Sequence, residues 1–64
     1  MATVIIYLNG PLLLTFKKVS NAELPKLSSW HMHAAFNDVE QFDLGKESIT
    51  LHKGSIMGII ITFE

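Results

Sequence analysis

Two of the three histidines, His31 and His33, stand one residue apart in the stretch SSWHMHAAF, residues 28–36, and the third is His52. On a strand both would project from one face, with Trp30, Met32, Ala34 and Phe36 on the other, and His52 could complete a zinc site of three imidazoles. On a helix the two side chains point about 200° apart and cannot share an ion. Ser28 and Ser29 lie close to His31 in the chain, but a serine nucleophile needs a base held in hydrogen-bond reach and a group that orients the base, and no carboxylate is spaced to do so. There is no cysteine, no Gly-x-Ser-x-Gly elbow and no glycine-rich phosphate loop. The acidic residues between Asp38 and Glu47 belong to a surface hairpin rather than to paired positions in a pocket. No catalytic residue, metal site or cofactor is assigned, and the chain reads as a non-enzyme.

The elements that carry these residues decide which geometry applies. VSNAELPKL, residues 19–27, holds helix-start signals: Ser20 as cap with Glu23 reaching back, and Val19 placed to pack on Leu24. Pro25 sits just past the tolerated first turn, so the helix must begin later than Ser20 or bend. Counted at helical period, Leu24, Leu27, Trp30, His31, Ala34 and Ala35 make one stripe, opposite Lys26, Ser29 and His33. The stripe and the preceding cap favour helix over strand for this segment, with Asn37 as the stop. His31 on the stripe is then a half-buried histidine and His33 faces water.

TVIIYLNGPLLLTF reads as a hairpin around Asn9-Gly10, opened or lengthened because Pro11 has no N–H to give across a tight turn. VEQFDL, SITLH and SIMGIIITF are three further strands, separated by Gly45-Lys46 and Lys53-Gly54. The expected fold class is α+β: an antiparallel sheet in β-β-α-β-β-β order with one helix on one face, the alternative being an all-β small barrel.

Sixty-four residues, 48% apolar and 17% charged, make one domain, residues 1–64, too apolar for disorder and near the lower size limit for folding without a disulfide or metal. The absence of cysteine suits a reducing, cytoplasmic setting. No apolar run reaches the roughly 20 residues of a membrane span, and the N-terminal stretch lacks a basic region, so neither a membrane helix nor a signal peptide is expected. The net charge is −1 and all five basic residues are lysine. Without arginine, nucleic-acid binding through Lys17, Lys18, Lys26 and Lys53 is disfavoured.

With YLNGPLLLTF first, a capped helix in the middle and FDLGKESITLHKGSIMGIIITF last, the layout resembles small β-rich accessory proteins of bacterial phages and prophages. The resemblance covers most of the chain and transfers no site residues. Such proteins do not share one activity, and the expectation adopted is a binding protein, an inhibitor or adaptor of that accessory type, acting on a protein partner.

The strongest functional signal is a shortage of cover. Residues 1–16 and 54–63 contain no charged side chain, whereas a sheet covered on one side should alternate apolar with polar. Ile5, Tyr7 and Leu13 oppose Val4, Ile6, Leu8, Leu12, Leu14 and Phe16, and in the last strand Met57, Ile59, Ile61 and Phe63 oppose Ile56 and Ile60. Four or five large side chains on a second face represent about 6–15 kcal/mol of burial, on the scale of a whole domain's stability. The reading is a homodimer that packs sheet on sheet or joins edges, with Ile5, Tyr7, Leu13, Met57, Ile59, Ile61 and Phe63 as interface. Met32 and Phe36 beside the helix stripe, with Asp38, Glu40 and Asp43, form the candidate surface for a protein partner. A third reading is a symmetric binder of a small ligand, with His31 or His52 lining a pocket between subunits.

Overall fold

A computed structural model describes residues 1–63. The elements run β1 (Ala2–Leu8), β2 (Leu13–Val19), α1 (Glu23–His33), β3 (Val39–Leu44), β4 (Glu47–His52), a 3-10 turn at Lys53–Ser55, and β5 (Ile56–Phe63). The fold is α+β in the expected order. Its strands form two antiparallel sheets instead of one, β2-β1-β5 and β3-β4, and they do not close into a barrel. The division follows from the 3-10 turn, which carries the chain away from β4 and returns β5 to β1.

The core lies on one side of the three-stranded sheet. Ala2, Val4 and Ile6 of β1 are wholly buried, together with Phe16 and Val19 of β2, Leu24 and Leu27 of α1, and Phe42, Leu44 and Leu51 of the β3–β4 hairpin. Burying each large aliphatic or aromatic side chain is worth about 1.5–3 kcal/mol. Trp30 meets Phe42 edge to face, 5.3 Å between ring centres, and Lys26 Nζ lies 5.3 Å from the same ring.

The helix begins at Glu23, later than a cap at Ser20 implies. Ser20 Oγ accepts the Ala22 N–H at 3.2 Å and the Ser20 carbonyl accepts the Glu23 N–H at 3.0 Å, so Ser20 shapes the entry turn and Glu23 is the first helical residue rather than the third. Pro25 thereby falls within the first turn, where a missing N–H removes no helix bond. The helix stops at His33, short of Asn37, because Ala34 is extended with ψ at 145°. Asp38 then closes the exit: its Oδ2 accepts the Ala35 N–H at 2.9 Å and its own N–H donates to the Ala35 carbonyl. The segment 28–36 is thus helical through His33, not a strand.

The first connection is open, as Pro11 requires. The Leu8 N–H donates to the Leu12 carbonyl at 3.0 Å across a loop with Gly10 at φ +82°. The far ends of β1 and β2 pair through an irregularity. Ala2 faces Val19 while Val4 faces Phe16, so β2 spends one extra residue, and Lys18 there adopts φ +57°. The tip of the β3–β4 hairpin is seated against this bulge. At Gly45, with φ +68°, a Cβ would stand 2.6 Å from the Lys17 carbonyl oxygen.

The register of β5 reverses one expected grouping. Ile59 pairs with Ile6, Ile61 with Val4 and Phe63 with Ala2, on the covered face, whereas Ile60 pairs with Ile5 on the other. Ile59, Ile61 and Phe63 therefore do not share a face with Ile5, Tyr7 and Leu13. Alternation holds from Gly58 to Phe63, but Met57 is an extra residue, where Tyr7 faces Gly58 and Leu8 faces Ile56, so Ile56, expected on the face of Ile60, joins Ile59 and Ile61 against the core.

Gly45→Ala is expected to lower stability by about 2–4 kcal/mol, since it combines left-handed strain with a backbone clash, while Gly10→Ala, where nothing lies within 4 Å of the new methyl, should cost about 1–2 kcal/mol. Urea denaturation of the two variants beside the parent checks the order.

Candidate functional site

Helix and hairpin shield one face of the three-stranded sheet, and no described residue crosses the other. That bare face is built in rows: Thr3 beside Thr62, Ile5 between Thr15 and Ile60, and Tyr7 between Leu13 and Gly58. The Ile5 and Tyr7 rows contain no charge, whereas β2 beside Thr3 carries the exposed Lys17 and Lys18 at its bulge. Leu13 and Ile60 are about half exposed, Tyr7 slightly less and Ile5 half-buried, with Leu12 and Met57 exposed beside them. Tyr7 supplies the amphipathic ring that frequently anchors an interface.

A second apolar surface lies on the covered side at the sheet's edge. A groove of about 360 Å³ runs between α1 and β5, lined by Ser28, His31, Met32, Ile59 and Ile61. Ile59 and Ile61 are half-buried on its floor and Met32 is 75% exposed on its rim. The interface residues expected from sequence are thus divided: Ile5, Tyr7 and Leu13 on the bare face, Ile59 and Ile61 in the groove, Phe63 at the end of β5 and Met57 at its irregular start. Ile60, which belongs to the bare face, was the residue that alternation alone could not assign.

The histidines are dispersed. His31 and His33 lie on the helix, and His52 ends β4 opposite Val39. Among the described residues, no three His, Asp or Glu side chains are grouped to hold a metal ion. His31 is half-buried in the groove, and burial, followed by the charge of Lys53, lowers its pKa from the ordinary 6.5. Lys53 is close because its Nζ donates to the His31 backbone carbonyl, satisfying a helix-terminal acceptor. Nothing in the sequence signals that tether, which joins residues 22 positions apart.

The acidic residues do not share a surface either. Asp38 is engaged in the loop after α1. Asp43 accepts a hydrogen bond from Ser48 Oγ at 2.5 Å, and Ser48 Oγ accepts one from Gln41 Nε2 at 3.2 Å, on the outer side of the hairpin. Glu40 projects from the opposite side of β3, in phase with Phe42 and Leu44. Phe36 is exposed, yet its ring lies against the backbone of Gly54, where a Cβ would stand 2.8 Å from it. Of the four lysines considered for nucleic acid, Lys53 and Lys26 are occupied by His31 and Phe42. Lys17 and Lys18 instead border a shallow pocket of about 210 Å³ with Lys46 and Glu47. His52 lines another open pocket, of about 370 Å³, with Asn9, Phe36 and Asn37.

Fold and surfaces together define a small α+β domain with an open three-stranded sheet, apolar on both faces. Comparison with protein-family models, with curated proteins and with solved structures gave no match. Among the described residues no helix is long and apolar enough to cross a membrane.

Because folding depresses the His31 pKa, the unfolded chain binds the proton more readily, so the neutral imidazole contributes stability above about pH 6.5 that is lost as pH falls through the folded value. NMR titration should give His31 a midpoint below 6.5, raised in Lys53→Gln. His31→Gln should flatten the loss of stability between about pH 7 and pH 5.

Proposed function

We propose that this chain is a self-associating protein-interaction module rather than an enzyme. One observation carries the reading: the sheet presents a bare face with Ile5, Tyr7, Leu13 and Ile60 in adjoining uncharged rows, which no described residue covers. A contiguous apolar surface of this kind on a small domain is the mark of an interaction site. Association removes apolar surface from water, and closed two-fold dimers are its commonest form.

The chemistry of the side chains supports a binding role. The pockets described above are open, and none of them joins a nucleophile, a base and an orienting group. Within that reading the role is that of an inhibitor or adaptor of the phage accessory type, which the layout resembles. The dimer would then present its hairpin and helix-exit surfaces, with Phe36 and Glu40, to the partner protein.

Sedimentation equilibrium at about 1–100 µM should give a mass near twice 7.2 kDa. Ile60→Lys, which places a charge on the bare face without touching the core, should weaken association at least about tenfold, a cost of about 1.4 kcal/mol or more. A mass of one chain throughout that range removes the reading.

A further inference from the structure

The two edges of the three-stranded sheet are built differently. At the β2 edge the chain bulges, Lys18 turns to φ +57°, Lys17 and Lys18 are exposed, and the Gly45 tip of the hairpin sits against the Lys17 carbonyl. Bulges, lysines and covering loops are the devices that withdraw a strand edge from further pairing. At the β5 edge, Gly58–Phe63 pairs with β1 in unbroken register, and the segment has no charge and no proline. No described strand pairs on its far side. Alternate N–H and C=O groups of this segment therefore face outward.

We propose that β5 pairs antiparallel with β5 of a second copy of this chain, forming a continuous six-stranded sheet, β2-β1-β5-β5-β1-β2, about a two-fold axis. The proposal rests on the self-association reading but assigns the contact to the β5 edge and the groove beside it, so that the bare face of Ile5, Tyr7 and Leu13 stays open in the dimer to a protein partner. Charge favours a second copy as occupant: residues 54–63 are uncharged, so antiparallel self-pairing sets no like charges opposite each other. Geometry favours it as well. An axis normal to the sheet keeps both helices on the same side, and residues that face each other come from the same face of the strand, so one residue meets its own copy on the axis.

Area supplies the third argument. A specific interface covers about 800 Å² per partner, close to a fifth of the 4283 Å² this chain exposes. One strand edge is too narrow for that. The groove between α1 and β5 opens on this same edge, so pairing sets two grooves facing each other, and Met32, Ile59 and Ile61 from both copies close into a shared apolar core. Phe63, 70% exposed, lies along the same seam. The half-burial of Ile59 and Ile61 in the single chain is thereby completed by the partner.

The chain has no cysteine, so single substitutions report contacts directly. Gly58→Cys, Ile59→Cys, Ile60→Cys, Ile61→Cys and Thr62→Cys, oxidised mildly at micromolar concentration, should yield a disulfide dimer at the axial position. Tyr7→Cys and Leu13→Cys on the bare face should remain uncrosslinked. In the unmodified protein, the β5 amides that point away from β1 should exchange slowly with deuterium when concentrated and rapidly when dilute, a readout that needs no variant. A dimer by sedimentation that cross-links through Tyr7→Cys or Leu13→Cys, or whose outward β5 amides exchange rapidly at every concentration, overturns edge pairing while self-association stands. A monomer by sedimentation with no cross-link overturns both.

Discussion

One eleven-residue helix and one two-stranded hairpin can cover only one face of a three-stranded sheet, and the remainder of this structure follows from that limit. β1 is the central strand, and its alternate residues Ala2, Val4 and Ile6 are completely shielded. Its other residues, Ile5 and Tyr7, are apolar too, but face a side that no described residue covers. Apolar burial is the main favourable term in folding, so an apolar sheet face without a covering layer is a driving force that intramolecular folding leaves unspent. Binding to a partner is the use to which the proposed function puts it.

The covered face depends on a few backbone approaches rather than on charge pairs. The segment Lys53–Ser55 is where they converge. Its Gly54 carbonyl accepts the Asn9 side chain at 3.2 Å, its Ser55 carbonyl accepts the Asn9 N–H at 3.0 Å, and the Lys53 N–H donates to Asp38. Lys53 Nζ reaches the last helical turn, and the Phe36 ring rests on Gly54. The hairpin loop, the helix exit and the start of β5 are thus held at one point. That junction turns the chain away from β4 and delivers β5 to the edge of the other sheet, which leaves the uncharged strand edge free.

Much of the local structure was legible in the residues. Leu24, Leu27 and Trp30 at helical spacing place α1 against the core, and of the two outcomes Pro25 allows, a later start or a bend, the helix takes the later start, at Glu23. Pro11 rules out a tight turn after Asn9-Gly10, and VEQFDL gives the bounds of β3 directly. The capping box failed because Ser20 and Glu23 serve the same signature whether the helix starts at residue 21 or 23, and only Pro25 decides between them. The acidic cluster failed as a surface because neighbours on a strand point to opposite sides, and because the Asp38 carboxylate is consumed by its own loop.

By itself the sequence determined the fold class, the elements and the excess of apolar residues on both sides of the strands, since these depend on periodicity, turn chemistry and composition, which are local. Only the tertiary structure decided that there are two sheets, that β5 pairs with β1, and that Ile60 rather than Ile59 or Ile61 shares the bare face with Ile5. Period-2 alternation sets which residues of one strand go together but says nothing about the phase between two strands far apart in the chain. That phase comes from backbone pairing and from the bulge at Met57, where one extra residue exchanges the two faces of everything that precedes it relative to everything that follows.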